Sequence, residues 1–388
     1  MNIYIIPAWY PKNESDVTAS FIREQSRALH KRGHNIIVIY VEPFSLRNCL
    51  SFIRYKNHDW DDKGIIIKYR KVLTLVPSRF EQKYHKHLSN KYYKILKKSI
   101  NYDANNNFKP DIIHSHGGPW CSYFAIPAAK KFGLPIITTE HYSGLTFGNM
   151  EDLKFQREKY VIDNSDLTIF VGSRFRDKVL SVTQSQGKTM VIPNQIDMNK
   201  FKVFNNKKRD NFSFLVACYL VKRKRVDLII QALHEEFGRN ENISLVIAGD
   251  GPERNNLEDL ATSLGESERI IFNGKYGREE VPTLFSNCHA FVLTSEFEPF
   301  GIVYIEAMAC GLPCIGTKGQ GCDDIINESN GITVTFDNLE ELKNAMRYIY
   351  ENNSKYDPVV IKNDVANRFS EEAVCSLLES AYSEILEN

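Results

Sequence analysis

The 388-residue sequence lacks the features that mark several large classes of protein. It has no apolar run of about 18 residues, the length that a membrane-spanning helix requires. Its 49 Lys and Arg residues balance 48 Asp and Glu residues, so no net charge favours nucleic-acid binding. The first residues, MNIYIIPAWYP, have neither a basic segment nor a long apolar one, which predicts a first strand rather than a signal peptide.

Clustered cysteines and separated acidic pairs are also scarce. The eight cysteines are scattered, and their one cluster, Cys310 to Cys322, lies in an apolar context that favours packing over metal binding. We therefore expect a reducing, cytoplasmic protein without disulfide bonds. Asp61-Asp62 and Asp323-Asp324 are adjacent pairs rather than separated carboxylates, and no metal site is predicted from them.

The length and the order of apolar segments predict two α/β domains. A chain of this size exceeds a single hydrophobic core. An apolar strand at 2–6, a helix from Ser20 and a strand at 34–41 form a βαβ opening, and a comparable series starts at Phe212. The polar, turn-rich segment 202–211 is the predicted linker. We place the domains at 1–200 and 201–370.

The most informative segment, Ser295–Gly316, joins a buried strand to a helix through an acidic, glycine-containing loop. Glu298 precedes the helix and Glu306 lies inside it. Eight positions at the helical rise span roughly 12 Å, more than the about 5–9.5 Å of a hydrolytic carboxylate pair. Free N–H groups at the helix start, near Gly301, attract phosphate or a sugar hydroxyl. The segment therefore predicts an elongated ligand with the shape of a sugar nucleotide.

The full string EPFGIVYIEAMACGLPCIG, in which seven residues separate Glu298 from Glu306, resembles the signature of the retaining glycosyltransferases of family 4. The resemblance implies an α/β GT-B fold, with two Rossmann-like domains that face each other across a cleft. It also implies that the first domain binds the acceptor and the second binds the nucleotide sugar. The last helix, 371–388, would pack back onto the first domain.

The resemblance places most donor contacts in the second domain. Lys224 matches the lysine that holds the donor diphosphate, but Tyr219 occupies the position of the family's arginine, so Arg223 or Arg225 would supply that charge. Glu306 would accept hydrogen bonds from ribose hydroxyls, and Glu298 would contact the transferred sugar. The other predicted donor contacts are Phe300, Gly301, Ile302, Val303, Arg223, Gly249, Gly251 and Tyr276.

The predicted contacts of the first domain follow its strands. His141 matches a family histidine near the donor sugar, and with Glu298 and Lys224 it completes the predicted catalytic set. His116 lies at the carboxyl end of a strand, where ligands bind in open α/β sheets. Together with Tyr10 and Glu140 it is predicted to bind the acceptor. His114 lies within the same strand, two residues before His116, and is predicted to be structural.

Residues 79–98 form a basic segment with interleaved aromatic and aliphatic residues, in which Glu81 is the one acid. Two interpretations stay open. In the first, the segment is a solvated helix whose apolar side packs on its own domain. In the second, it is an amphipathic helix that makes a peripheral contact with an anionic membrane.

The predicted function is transfer of a sugar, with retention of configuration, from a UDP- or GDP-linked donor to a saccharide or lipid-linked saccharide. We expect no metal and no cofactor, a cytoplasmic location or a peripheral one on the inner face of the cytoplasmic membrane, and no nucleic-acid partner. The alternatives are a GT-B epimerase or phosphorylase and a non-catalytic carbohydrate-binding protein, which the change at Tyr219 would suit. A dinucleotide oxidoreductase is disfavoured because Gly249-x-Gly251 lacks the third glycine. The oligomeric state and the sugar are left open.

Overall fold

The computed structural model describes the chain except residues 14–15, 17, 46–55, 202–210, 239, 241, 278 and 388. It contains two compact units. The first comprises Met1–Val171, Arg176–Pro193 and Val374–Asn388, and the second comprises Gly172–Phe175 and Asn194–Ala373. Residues 194–200, which we expected in the first domain, thus belong to the second unit. The predicted linker lies outside the described residues apart from Asn211.

The first unit is built on a sheet that has eight strands among its described residues, in the order β3-β4-β2-β1-β5-β6-β7-β8. All neighbours are parallel except β3 and β4, which form an antiparallel hairpin at one edge. The strands are β1 (Asn2–Pro7), β2 (Asn35–Ser45), β3 (His58–Asp62), β4 (Ile65–Thr74), β5 (Ile112–His116), β6 (Ile136–Glu140), β7 (Leu167–Phe170) and β8 (Thr189–Val191).

Helices cover both faces of this sheet, which explains why its central strands are apolar on both sides. In β1, Ile3 and Ile5 pack into one buried cluster, and Tyr4 and Ile6 pack into the other. Among the described residues, the first five α-helices are α1 (Ser20–Lys31), α2 (Glu81–Ala104), α3 (Tyr123–Phe132), α4 (Leu153–Asn164) and α5 (Ser173–Thr183). A short π-helical turn, Gly118–Ser122, precedes α3.

The second unit is built on a parallel sheet, six-stranded over the residues that the structure describes, in the order β11-β10-β9-β12-β13-β14. Its strands are β9 (Phe212–Ala217), β10 (Ile243–Ala248), β11 (Ile270–Gly274), β12 (Ala290–Leu293), β13 (Cys314–Thr317) and β14 (Gly331–Val334). The remaining helices are α6 (Val226–Phe237), α7 (Arg254–Ser263), α8 (Val281–Ser286), α9 (Ile302–Ala309), α10 (Leu339–Glu351), α11 (Pro358–Phe369) and α12 (Glu371–Glu387).

Both sheets change the direction of their strand order once, and this topology locates the candidate sites. Ligands of open α/β sheets bind outside the carboxyl ends of the strands at such switch points. In the first unit the switch lies between β1 and β5, and in the second it lies between β9 and β12. The loops after β9 and β12 carry the predicted residues Arg223, Lys224, Glu298 and Gly301.

The last helix, α12, joins the core of the first unit over most of its length. Val374, Leu378 and Tyr382 are buried in the same cluster as Ile3 and Ile5. Among the described residues, no helix combines the length and hydropathy that crossing a bilayer would require.

Helix α2 spans the basic segment, and its apolar side is used by the core. Leu88, Tyr92 and Leu96 are buried in the first unit. The lysines at 83, 86, 94, 97 and 98 point to solvent. The apolar side is therefore not available for insertion into a bilayer, and an electrostatic contact through the lysines is what remains of the membrane interpretation.

Candidate functional site

In the second unit, the loop between β12 and α9 is held by its backbone. The Glu296 N–H donates to the carbonyl of Arg223 at 2.7 Å, which ties the loop to the segment after β9. The Gly321 N–H donates to the carbonyl of Glu298 at 2.9 Å, which ties it to the segment after β13. The sequence places Glu298 on a loop, and these two bonds fix where that loop lies.

Position 301, immediately before α9, can be occupied only by glycine without strain. Its φ of +91° lies in the left-handed region. A Cβ atom there would lie 2.5 Å from the Tyr304 ring and 3.1 Å from Cγ of Glu298. The Tyr304 ring is buried, and its hydroxyl donates to the Leu293 carbonyl at 2.6 Å, so it has no room to move away. The Tyr304 N–H donates to the Gly301 carbonyl at 3.0 Å. The N–H groups before it, at the positive end of α9, have no acceptor in the helical hydrogen-bond pattern.

Lys224 and Glu298, predicted as separate contacts, form an ion pair. The Lys224 ammonium Nζ lies 2.5 Å from Oε2 of Glu298, and the Lys224 residue is buried. An ammonium group has three donors, so Lys224 can bind Glu298 and a phosphate oxygen together. The geometry therefore makes Glu298 the residue that positions Lys224, in addition to its predicted sugar contact.

Of the two arginines that could replace the family's arginine, Arg223 is the better candidate. Arg225 is bound by the carboxylates of Asp227 and Asp337. Burial raises the pKa of the Cys218 thiol to about 11, while the charges of Lys224 and Arg223 act to lower it. Arg223 is therefore within electrostatic reach of the same point as Lys224. Tyr219 is 64% exposed and takes no part in the pair.

Some of the other predicted donor residues are packed inside the second unit, and others have accessible side chains. Gly249 and Gly251 pack on backbone, because Cβ atoms there would lie 1.8 Å from the Cys218 carbonyl and 2.3 Å from the Leu220 carbonyl. The Phe300 side chain is buried against Phe369, which leaves only its backbone for a ligand. Half-buried side chains remain accessible at Ile302, Val303, Glu306 and Tyr276. Their donor contacts stay predictions.

In the first unit, three histidines meet at the carboxyl ends of β5 and β6. Nδ1 of His116 lies 3.1 Å from Nε2 of His141, so one neutral imidazole donates to the other. Burial lowers the pKa of His141 to about 3 and that of His116 well below its usual value. His114 contacts the Tyr382 hydroxyl at 2.6 Å and the Thr139 hydroxyl at 2.7 Å, which fits its predicted structural role.

All three predicted acceptor residues are enclosed, which corrects their assignment; His116 is only 1% exposed. Glu140 is fully buried, and its oxygens accept the backbone N–H groups of Gly118, His141 and Tyr142. No oxygen of Glu140 is left exposed for a substrate hydroxyl. Tyr10 is only 2% exposed. Glu140 and Tyr10 lie next to loops that contain glycine or proline. Their positions in the sequence therefore do not reveal that their side chains point into the core.

A cavity that sequence reasoning missed lies in the first unit near the ends of β1 and β2. It measures about 540 Å³, and its main lining side chains are the aromatic Trp9, Tyr84, Trp120 and Phe124. The Arg157 guanidinium packs against the last three of these rings and donates to both oxygens of Glu81, at 2.9 and 2.8 Å. An aromatic pocket with a few polar groups is typical of small-molecule sites. The aromatic residues are far apart in sequence, which is why no motif indicates it.

One Asp-x-Asp pair of the sequence is absent from the predictions. Asp59 and Asp61 flank Trp60 on β3, but Asp59 pairs with Arg70, and Asp61 accepts the Gly64 N–H at 3.1 Å. Over the described part of the chain, no group of three or more His, Cys, Asp and Glu side chains has an arrangement that could hold a metal ion.

Taken together, the two sheets and the Lys224–Glu298 pair at the β9/β12 switch point define a two-unit α/β protein with a candidate ligand site in its second unit. Two family models match the chain: "Glycosyltransferase Family 4" over residues 18–200 and "Glycosyl transferases group 1" over residues 197–368. The chain belongs to this glycosyltransferase family, as its motif indicated.

One relative is a human phosphatidylinositol N-acetylglucosaminyltransferase subunit, 26% identical over 229 residues. The match covers 56% of this chain and 46% of the human protein, so the chain spans about half the length of that relative. Sucrose-phosphate synthase from Thermosynechococcus elongatus matches at a TM-score of 0.75 and 19% identity, over 100% and 99% of the two chains. The Anabaena protein HepE, solved with UDP, matches at 0.73 and 17%, over 99% and 100%. The predicted GT-B fold is confirmed.

Proposed function

We propose that the protein transfers a sugar from a nucleoside-diphosphate donor to a hydroxyl acceptor and retains the configuration at the anomeric carbon. The observation that carries this proposal is the arrangement at the β9/β12 switch point. There the Lys224–Glu298 pair lies beside the glycine-capped start of α9. A cation and free backbone N–H groups next to each other are suited to a leaving diphosphate.

In the proposed reaction the acceptor oxygen bonds to the anomeric carbon while the bond from that carbon to the diphosphate oxygen breaks. The diphosphate leaves with an additional negative charge, which Lys224, Arg223 and the start of α9 stabilise. Attack occurs on the face from which the diphosphate departs, and a phosphate oxygen takes the acceptor's proton. These groups provide the charge stabilisation, so we propose that no metal ion and no cofactor is needed.

The remaining donor contacts follow from the position of α9. Glu306 lies one helical turn beyond Ile302, and we propose that its carboxylate accepts hydrogen bonds from the ribose hydroxyls. The base would lie near Tyr276, after β11. The similar Anabaena protein was solved with UDP and with UDP-glucose, which makes UDP-linked sugars the first donors to test.

We further propose that the aromatic cavity of the first unit binds the acceptor, in place of the enclosed Glu140, His116 and Tyr10. Trp120, at 39% exposed, and the half-buried Trp9 present flat apolar surfaces for a sugar ring. The acceptor would then be a saccharide or a lipid-linked saccharide. Contact of His141 with the donor sugar or the acceptor stays a prediction.

The exposed lysines of α2 support a peripheral, electrostatic membrane contact as part of this proposal. Flotation of the protein with liposomes that contain anionic lipid, compared with neutral liposomes, measures it. Equal recovery from both kinds of liposome would remove the electrostatic contact and leave the transfer proposal intact.

The transfer proposal is tested with a panel of UDP-, GDP- and ADP-linked sugars, including glucose and N-acetylglucosamine. Calorimetry measures nucleotide binding, and donor hydrolysis and transfer to saccharide acceptors measure the chemistry with and without a metal chelator. A protein that binds nucleotide but neither hydrolyses nor transfers would support the non-catalytic alternative. A protein that neither binds any nucleotide nor transfers any sugar would overturn the proposal.

A further inference from the structure

Two buried glutamates of the first unit converge on one backbone position. Glu140 ends β6, and Glu158 lies in the middle of α4; both are 0% exposed. At Gly118, a Cβ atom would lie 2.1 Å from Oε2 of Glu158 and 2.8 Å from Oε2 of Glu140. The two carboxyl groups therefore approach each other in space that only a glycine leaves open.

Their hydrogen bonds differ sharply. Glu140 accepts the Gly118 N–H at 2.7 Å, the His141 N–H at 2.7 Å and the Tyr142 N–H. Neither oxygen of Glu158 has a donor among the residues that the structure describes. Three donated N–H groups stabilise a negative charge on Glu140, whereas a charge on Glu158 would be buried without any donor.

We propose that Glu158 is a protonated carboxylic acid that donates a hydrogen bond to the Glu140 carboxylate and thereby positions the backbone of His141. One proton shared between the two groups gives the hydroxyl oxygen of Glu158 a hydrogen-bond partner and avoids two adjacent buried charges. Glu158 acts through Glu140 and does not itself contact a substrate, so its role is positioning.

The charges around the pair agree with this assignment. Burial, followed by the charge of Glu140, raises the pKa of Glu158 well above its usual range. The adjacent Arg157 is bound to both oxygens of Glu81, so it does not compensate a charge on Glu158. His116 and His141 are held neutral by burial, and burial raises the pKa of the Cys121 thiol to about 12. None of these described groups is a cation free to pair with Glu158.

Infrared difference spectroscopy of the full chain at neutral pH tests the proton directly. The wild type minus Glu158→Gln difference is expected to contain the carbonyl band of a protonated carboxyl group, which carbon-13 labelling of glutamate shifts. A difference spectrum that contains a carboxylate band instead would overturn the proposal. This measurement requires no activity, so it remains decisive even if the proposed function fails. It also does not require Glu158→Leu, whose side chain has no donor, to fold.

The positioning role is tested by comparing two variants of similar size. The amide of Glu158→Gln can still donate to Glu140, whereas Glu158→Leu cannot. The nitrogen-15 NMR signals of His141 and His116 should keep their wild-type positions in Glu158→Gln and should shift in Glu158→Leu. Val161→Ala, on the same helix and equally buried, is the control for a packing defect and should leave them in place. Equal spectra for the Gln and Leu variants would contradict the role.

Activity provides a second readout that rests on the proposed function. For Glu158→Leu we expect kcat to fall by about 10- to 100-fold with the donor KM changed by less than about 2-fold. Glu158→Gln should recover most of kcat, while Val161→Ala lowers thermal stability without affecting kcat. A loss that Gln does not recover would reduce Glu158 to a packing residue.

Discussion

The two switch points have the same topology but carry opposite kinds of groups. In the second unit, the loops after β9 and β12 present the buried Lys224 paired with Glu298, and the half-buried Arg223. In the first unit, the carboxyl ends of β5 and the neighbouring β6 present His116 and His141, which burial keeps neutral, next to the enclosed Glu140. The location in the second unit is suited to stabilising charge, whereas the location in the first unit orients its side chains through hydrogen bonds.

This difference follows from the partners of the buried groups rather than from burial alone. Both locations contain ionisable side chains at the ends of parallel strands. Lys224 is buried beside an opposite charge, with which it forms an ion pair. A group that loses water without gaining an opposite charge becomes neutral, as the first unit's histidines do. The following predictions test whether the two locations respond to mutation as this contrast requires.

The largest effect is expected at the charged location. Lys224→Met keeps the length of the side chain and removes the ammonium group, so kcat for transfer should fall by about 10²- to 10³-fold. Lys222→Met, two positions earlier in the same short turn and exposed, is the matched control and should change kcat little. Steady-state transfer assays measure both. A similar loss in the two variants would mean that general positive charge, and not the position of Lys224, matters.

Much of this contrast can be predicted from the sequence, and part of it cannot. The strand–loop–helix pattern and the glutamate spacing predict where Glu298 and Glu306 lie along the chain. The Lys224–Glu298 pair joins residues separated by 74 positions, and no local pattern encodes that contact. Glu158 lies in the charge-rich helix LKFQREKYVIDN, in which nothing distinguishes it from the solvent-exposed acids. Tyr10 and Glu140 fail for the same reason, because side-chain direction at a strand end is set by tertiary packing.

The second effect concerns the ribose contact. Glu306→Gln keeps the shape of the side chain and removes its charge, so the dissociation constant for the nucleotide should rise by about 10-fold or more. Glu351→Gln, an exposed acid at the end of α10, is the control and should leave binding unchanged. Calorimetric titration with the nucleoside diphosphate that the donor panel identifies measures both constants. Unchanged affinity in Glu306→Gln would exclude the ribose role.

The third effect separates backbone strain from steric contact at the start of α9. Gly301 and Gly265 both have positive φ, +91° and +74°, but only Gly301 has side-chain atoms where a Cβ would lie. Gly265→Ala should lose about 1–2 kcal/mol of unfolding free energy through strain alone. Gly301→Ala should lose more and should also weaken nucleotide binding, since the new methyl group displaces Tyr304 or the helix start. Chemical denaturation measures the unfolding free energy of the two variants, and calorimetry measures their nucleotide affinity. Equal losses of unfolding free energy, with nucleotide binding retained in Gly301→Ala, would show that Tyr304 can move away.

The last prediction tests the neutral location through pH. Burial lowers the pKa of His114 to about 3, against about 6.5 in an unfolded chain. Between these values the unfolded state binds a proton that the native state does not. Stability contributed by the neutral ring is therefore present above pH about 6.5 and is lost as pH falls toward 3, by about 1.4 kcal/mol per pH unit for each such histidine.

His114→Gln should lower stability at neutral pH, because the ring's contacts with the Tyr382 and Thr139 hydroxyls are changed, and should make this acid slope shallower by about 1.4 kcal/mol per pH unit. The three tryptophans, Trp9, Trp60 and Trp120, all belong to the first unit, so denaturation followed by tryptophan fluorescence reports on that unit alone. His58→Gln, at an exposed position on β3, is the matched control and should retain the wild-type slope. An unchanged slope in His114→Gln would mean that the ring is protonated in the folded protein, and the contrast between a charged and a neutral switch point would not hold there.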